Sequence, residues 1–292
     1  MLLFVRKLWR FLTVIDMFSF TELIDSKKRP LVMGILNITP DSFSDGGEYF
    51  TVEKAVDKAK ELELEGADII DIGACSTSPL AVVTSPGEEL RRLESAFGAI
   101  RKSVGIPLSV DTFRIEAARF AFENGADIFN DESGKIEMSR LELAKAYGGG
   151  YVFMHTGNSD SANPANYPDG VIEDVLNSFG KVKALAAECK MHHSVCYDCG
   201  IGFGKTRLDD LTLLREMNKL TDYSPLLVGV SRKRVVGEAI GETEPLKRIY
   251  GTVAAETAAC MKGAGIIRTH DVKAALDAVR MSQAIIGGKL NG

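Results

Sequence analysis

The 292-residue sequence has no long hydrophobic run, no surplus of positive charge, no low-complexity linker and no literal repeat. Each absence closes off a class of reading. The most apolar stretch is the start, MLLFVRKLWRFLTVIDMFSF, and Arg6, Lys7, Arg10 and Asp16 break it up. Its charge-free piece, Phe11 to Ile15, is shorter than the about 7–15 residues of a signal-peptide core and far shorter than the about 20 that span a bilayer. Residues 1–28 therefore read as an N-terminal extension, an amphipathic lead-in helix or an upstream-extended start; no membrane partner is expected, with a peripheral membrane contact as the lesser alternative. A net charge of −5 supplies no broad basic field, so nucleic acid is not expected as a partner. Five cysteines are an odd count, which does not make a disulfide framework, and a reducing, cytoplasmic compartment is expected. Cys196 and Cys199 form a single Cys-x-x-Cys spacing. On a strand, residues three apart point to opposite faces, so the pair suits neither a bridge nor a shared metal.

What is present is a pattern. The composition, 45% hydrophobic and 26% charged, is rich enough to bury a core and too apolar for a disordered chain. A short apolar run, a polar turn and a helical-period segment recur eight times. The strand candidates are 31–37, 67–73, 106–111, 127–131, 150–155, 194–200, 225–231 and 266–270. They are near-continuous apolar runs, as strands buried on both faces require. Segments such as VEKAVDKAKELELEG and FRIEAARFAFENG lie between them, with apolar residues at helical spacing and a Gly stop. Alternating strands and helices imply parallel pairing through right-handed crossovers. The expectation is an α/β chain: a (β/α)8 TIM barrel as a single domain over 29–292, with an open doubly wound sheet as the alternative.

Every strand candidate ends in polar residues or Gly: Asn37, Asp71 with Gly73, Asp111, Asn130 with Asp131, His155, Asp198, Ser231 with Lys233, and Arg268 with His270. In a closed barrel these ends converge on one mouth, where barrel enzymes carry their chemistry. Asp111-Thr112 and Asp131 also suit helix capping, but eight polar ends together exceed what caps need. Ser231-Arg232-Lys233 and Arg268-Thr269-His270 form the most anion-friendly part. Arg268 and His270 alternate on a strand and so share a face, and Arg and Lys suit oxyanions. GIGFGKT (200–206) resembles a phosphate-binding Walker loop, but Cys199 stands where that motif needs Gly, and the loop follows the sixth strand. It reads instead as a backbone-exposing loop at the mouth, with Phe203 available to cover a flat ligand. His192-His193 falls at the opposite, stability face.

These residues carry a family resemblance. MGILNITPDSFSDGG (33–47) resembles the opening signature of dihydropteroate synthase, and ADIIDIG followed by Ser76-Thr77 its second motif. SVDTFR (109–114), NDESG (130–134), DCGIGFGKT (198–206), VGVSRKR (228–234) and IIRTHDV (266–272) follow in the family's order, from about residue 30 onward. The resemblance implies a transferase that joins 6-hydroxymethyl-dihydropterin diphosphate to p-aminobenzoate for folate synthesis. By the resemblance, Asp111, Asn130, Asp198 and Lys233 hold the pterin, Arg268 and His270 hold the diphosphate, and Asn37 is associated with Mg²⁺. Thr77 and Phe203 match positions near the diphosphate and the aminobenzoate, and Met154 completes the substrate-binding set. Asp111, Lys233 and Arg268 are expected to be catalytic, and a homodimer is expected.

The match departs at named positions. The family's Gly-Glu-Ser-Thr-Arg-Pro is Ala74-Cys75-Ser76-Thr77-Ser78-Pro79 here, so Ser78 replaces a loop arginine. Asp-Pro-Gly becomes Asp198-Cys199-Gly200, and Arg234 stands where Ser is usual. The alternative these changes leave open is a pterin-binding paralogue with another acceptor, or with no synthase activity.

Overall fold

In the computed structural model the described residues are 17–39, 51–75, 84–157 and 165–290. They form the expected (β/α)8 barrel. The strands are β1 (Leu31–Asn37), β2 (Ile69–Gly73), β3 (Leu108–Asp111), β4 (Ile128–Asp131), β5 (Gly150–Met154), β6 (Val195–Asp198), β7 (Leu226–Val228) and β8 (Ile266–Thr269). Each pairs in parallel with the next, and β8 closes on β1. The open-sheet alternative is thereby excluded. β1 matches its apolar run at both ends, and the other seven strands stop one to three residues short at one or both ends, because pairing stops where the chain turns toward the outer helices.

The helices of the described residues are α1 (Phe20–Lys27), α2 (Val52–Glu65), α3 (Pro86–Ser103), α4 (Ile115–Glu123), α5 (Met138–Ala146), α6 (Val171–Glu188), α7 (Arg207–Glu216), α8 (Arg234–Ile240), α9 (Ile249–Met261) and α10 (Val272–Gly287). Several start on a side-chain cap. Ser85 accepts from Glu88 N at the start of α3, with Pro86 inside the first turn. Thr206 and Asp209 form a reciprocal capping box on α7, which satisfies two orphan backbone donors and fixes where the preceding loop must end.

Two apolar layers hold the barrel. The outward strand residues, among them Leu36, Ile70, Val110, Phe129, Tyr151 and Val228, pack against the helices. The inward residues near the base, Leu31, Met33, Ile69, Ile128, Val152, Cys196, Leu227 and Ile266, form a separate inner cluster with Phe20. Phe20 is fully buried, and its ring stacks edge-on to Phe18 at 5.0 Å. Burying a phenyl ring contributes about 2–3 kcal/mol. Ser19 caps α1 by accepting from Glu22 N, and Phe20 N donates to His193 O at 3.2 Å. The helix that carries Phe20 therefore plugs the base of the barrel. The boundary placed at residue 28 cuts behind a helix that the barrel core buries, so residues 17–28 are part of the barrel's packing. Residues 1–16, read as a lead-in helix, lie outside the described residues.

Cys196 belongs to the inner cluster and Cys199 to the outer one, as the opposite-face argument required. All five cysteines are free and buried. Among the described residues no helix is long and apolar enough to cross a membrane.

Candidate active site

Strand alternation decides which polar residue reaches the mouth. Above the apolar inner cluster the inward positions turn polar, with Asp71 on β2, Asn130 on β4, Asp198 on β6 and Arg268 on β8. All four are buried or nearly so. Met154 on β5 is buried beside them, paired in register with Asp198. Asp111 and Asn37 stand at the rim. Two of the expected mouth residues turn away instead. Asp131 is one position past Asn130 and faces the helices, where Arg140 Nη1 donates to both its oxygens at 3.0 Å and Tyr151 Oη donates at 2.7 Å. His155 follows Met154 and pairs through Nε2 with Asp174 on α6 at 2.7 Å. Both are contacts between barrel and helices.

The centre of the site is one guanidinium between two carboxylates. Arg268 Nε donates to Asp71 Oδ2 at 2.6 Å, and its Nη2 donates to Asp111 Oδ2. Asn130 Nδ2 bridges the same carboxylates, at 2.9 Å to Asp71 and 3.2 Å to Asp111. Two acids against one cation leave a surplus of negative charge in a buried place. Burial pushes the Asp111 carboxyl up to about 7, and Asp71 adds to this while Arg268 opposes it. Glu132 follows on the face of Asn130, and burial with Asp111 raises its carboxyl well above the usual range. Its Oε1 is buried without a partner. Arg268 Nη1 has no partner among the described residues, so part of the fork is left for a ligand.

The second half of the site is the loop after β6. Asp198 Oδ1 accepts from Gly200 N at 2.7 Å, and burial raises the carboxyl while Lys233 draws it down. Lys233 Nζ donates to Ile201 O and lies 4.7 Å from the centre of the Phe203 ring, a cation–π contact. Lys233 occupies the N-cap position of α8 without capping it, so its side chain is free to turn into the site. His270 Nδ1 and Ser231 Oγ are 3.0 Å apart, and His270 N donates to the same Oγ at 3.2 Å. The hydroxyl satisfies both contacts by accepting from the backbone and donating to Nδ1, which leaves Nε2 as an N–H donor. Burial, with Arg232 and Arg268 nearby, holds His270 down to about 3. It is therefore a neutral donor at pH 7, not a second cation. Arg232, the neighbouring cation, is committed to Asp271 at 2.6 and 3.1 Å.

Asp111, Asn130, Met154, Asp198, Phe203, Lys233, Arg268 and His270 thus converge on one mouth. Thr77 and Ser78 lie outside the described residues, as does the 40–50 stretch. Arg234 is exposed. Two residues of the site were passed over in the sequence. Asp71 was seen as a polar strand end but not placed in the site, although its two-residue spacing from Ile69 already put it inward. Lys205 was hidden inside a motif read for its glycines.

The donor set also bears on a metal. Among the described residues no three His, Cys, Asp or Glu side chains cluster to hold one. Asn37 Oδ1 offers a neutral oxygen, and Gly73 opens the space beside it, since a Cβ there would lie 3.2 Å from Asn37 Oδ1 and 3.6 Å from Asp111 Oδ2. This fits an ion shared with a ligand's phosphates, the usual habit of Mg²⁺, better than a resident ion held by protein alone.

The chain and its architecture have known counterparts. A family profile described as pterin binding enzyme matches residues 33–270. A dihydropteroate synthase of Synechocystis is 40% identical over 268 residues, covering 90% of this chain and 92% of that one. The Bacillus subtilis dihydropteroate synthase is 38% identical over 274 residues, with 91% and 93% covered. Among solved structures, the Xanthomonas albilineans dihydropteroate synthase with 4-aminobenzoic acid superposes with a TM-score of 0.80 at 38% identity, covering 88% of this chain and 94% of that one. The same enzyme in complex with 7,8-dihydropteroate gives 0.74 at 36% identity, covering 88% and 94%. With a family profile spanning most of its length and relatives matched nearly end to end, the chain belongs to the dihydropteroate synthase family of pterin-binding enzymes.

Proposed function

We propose that this chain condenses 6-hydroxymethyl-7,8-dihydropterin diphosphate with p-aminobenzoate, giving 7,8-dihydropteroate and diphosphate in folate biosynthesis. The observation that carries the reading is the mouth itself. A buried carboxylate and amide, Asp198 and Asn130, stand opposite a half-committed guanidinium, Arg268, in one barrel. The first pair suits the donor-rich edge of a pterin, and the third suits a leaving diphosphate. A site of buried polar groups also rejects ligands that would leave those groups unpaired.

The reaction forms one bond and breaks one. The arylamine lone pair attacks the pterin methylene carbon, the C–O bond breaks, and its electron pair leaves on diphosphate. The extra arylamine proton passes to solvent or to the departing anion. No strong base is required, because an arylamine is neutral at pH 7. Asp198, Asn130 and Lys233 hold the pterin, with Met154 against it. Arg268 Nη1 and the neutral N–H of His270 receive the diphosphate with Thr77, and their hydrogen bonds strengthen as charge builds on the leaving oxygen. Asp111 faces the methylene as positive character develops there. Phe203 walls the aminobenzoate side. Asn37, with diphosphate oxygens, would hold Mg²⁺, which supplies neutralising charge to the leaving group.

The decisive experiment is turnover. Purified protein with pterin diphosphate, Mg²⁺ and p-aminobenzoate should release diphosphate only when both organic substrates are present. Tight pterin binding without turnover would instead make it a pterin-binding paralogue.

A second copy of the chain fits the outer face. Leu246, Tyr250 on α9, and Met281 and Ile286 on α10 expose apolar side chains, Tyr250 at 86%, and α9 packs beside α10. Exposed apolar residues on two neighbouring helices are of the kind that marks an interaction face. A homodimer should give a light-scattering mass of twice the 31.7 kDa of one chain, and Tyr250→Asp should halve it. Five buried, unbridged cysteines support a reducing, cytoplasmic location.

A further inference from the structure

The loop after β6 is wrapped around a buried ammonium that the proposed chemistry does not use. Lys205 is fully buried. Its Nζ donates to His155 O at 2.9 Å, to Gly200 O at 3.0 Å and to Phe203 O at 3.0 Å. An ammonium has three donors, and all three are spent on backbone carbonyls. One carbonyl sits at the end of β5 and two sit within the loop. The wrap needs a close approach that only glycine allows. Gly200 has a φ of +66°, and a Cβ there would fall 1.9 Å from His155 O and 3.2 Å from Lys205 Nζ. The far side of the loop is held by other groups: Gly202 N donates to Asp210 Oδ1 at 2.6 Å, and Tyr167 Oη donates to Gly204 O at 3.0 Å.

The curl sets two groups of the site. Ile201 O, one residue past a carbonyl that Lys205 holds, receives Lys233 Nζ. Phe203, whose own carbonyl Lys205 holds, puts its ring over the same ammonium. Without the buried charge, His155 O and Phe203 O would point into a dry space with no donor, and Gly200 O would keep only its contact from Phe203 N at 3.1 Å. The loop would open to hydrate them, and both Phe203 and the Lys233 perch would move.

Taking the proposed reaction as given, we infer that Lys205 is a positioning residue. Its ammonium folds the 199–206 loop into the one arrangement that places Lys233 and Phe203 for reaction. It acts as a built-in cation for the loop's own carbonyls. The neighbours that face it are Cys199, Asp198, Asp210 and Lys233, together with His155, whose ring it helps keep neutral. Burial brings the Lys205 ammonium down to about 8. The loop should therefore loosen as pH rises through 8, when the ammonium loses the proton that makes its third hydrogen bond.

The test uses the full chain and two variants. Lys205→Met is expected to lower kcat/KM at least tenfold at pH 7 and to speed amide hydrogen exchange across residues 200–204. It should also lose the part of the parent's alkaline fall that Lys205 is expected to set near pH 8, while the part set by Lys233 remains. Lys205→Arg restores a charge that stays protonated, so it should keep the loop protected and move the alkaline fall to higher pH. A Lys205→Met protein within threefold of the parent, or one with an unchanged alkaline limb, overturns the inference. The exchange readout needs no turnover. If the parent proves inactive, the proposed reaction fails, while exchange at 200–204 still decides whether Lys205 holds the loop.

Discussion

Arg268→Met is expected to lower kcat/KM by about 10²–10³-fold, the scale set by removing one preorganised donor to a developing oxyanion. It is also expected to destabilise the ligand-free protein by about 3 kcal/mol, as breaking a buried ion pair does. The two effects have separate causes. The expected catalytic loss comes from Nη1, the arm proposed to receive diphosphate. The stability loss comes from Nε and Nη2, which neutralise Asp71 and Asp111. The stability term carries a pH signature. With the guanidinium in place, Asp111 is already up at about 7, and without it the carboxyl moves higher. A carboxyl raised above its unfolded value of about 3.9 holds a proton that the unfolded chain has released, so stability falls as pH climbs from about 4 through the folded value. The deficit of Arg268→Met, read by urea unfolding, should therefore stay level up to about pH 6 and grow as pH rises through about 7 and beyond. Adding Asp111→Asn removes one of the stranded charges. The double variant should regain stability and not turnover. If Arg268→Met keeps kcat/KM within threefold of the parent, Arg268 is a structural counter-ion only.

The same period-two rule that made the strands readable also sorts the site. It put Arg268 with His270 on one face and kept Cys196 away from Cys199, and the structure agrees on both. The rule was not carried far enough at two strand ends. Asn130 points in, so its neighbour Asp131 must point out, and Met154 excludes His155 in the same way. Both outward residues meet partners on distant helices, Arg140 on α5 and Asp174 on α6. No local pattern announces such partners. The plug at the base was illegible for another reason. Phe20 fills the barrel only because eight strands close around it, and that space does not exist in any short window of sequence. Lys205 is a third kind of case. A lysine after glycines suggests a phosphate, whereas here the loop's own carbonyls take the phosphate's place.

Asp198→Asn tests the recognition half of the site with the least disturbance. Asp198 Oδ1 accepts from Gly200 N at 2.7 Å, and an asparagine oxygen makes that same contact, so the turn and the loop that follows should hold. What changes is the other arm. The oxygen proposed to accept from the pterin edge becomes an NH₂ that donates, and donor would then face donor. A mispaired buried group costs about 1–3 kcal/mol, and the lost charge on the acceptor places this case at the upper end. The Kd for the pterin substrate, measured by calorimetry, should rise about 100-fold, while the melting temperature of the free protein stays close to the parent's. Lys233 supplies the internal control. Asp198 is the first of the groups that oppose the burial of the Lys233 ammonium, so neutralising it lowers the Lys233 pKa further and leaves that ammonium easier to deprotonate. Substrate affinity in Asp198→Asn should accordingly fall off at a lower pH than in the parent. An unchanged Kd would mean that the pterin edge is read elsewhere in the mouth. Asp71 and Glu132, each with a buried oxygen that has no partner among the described residues, are then the carboxyls that remain to read it.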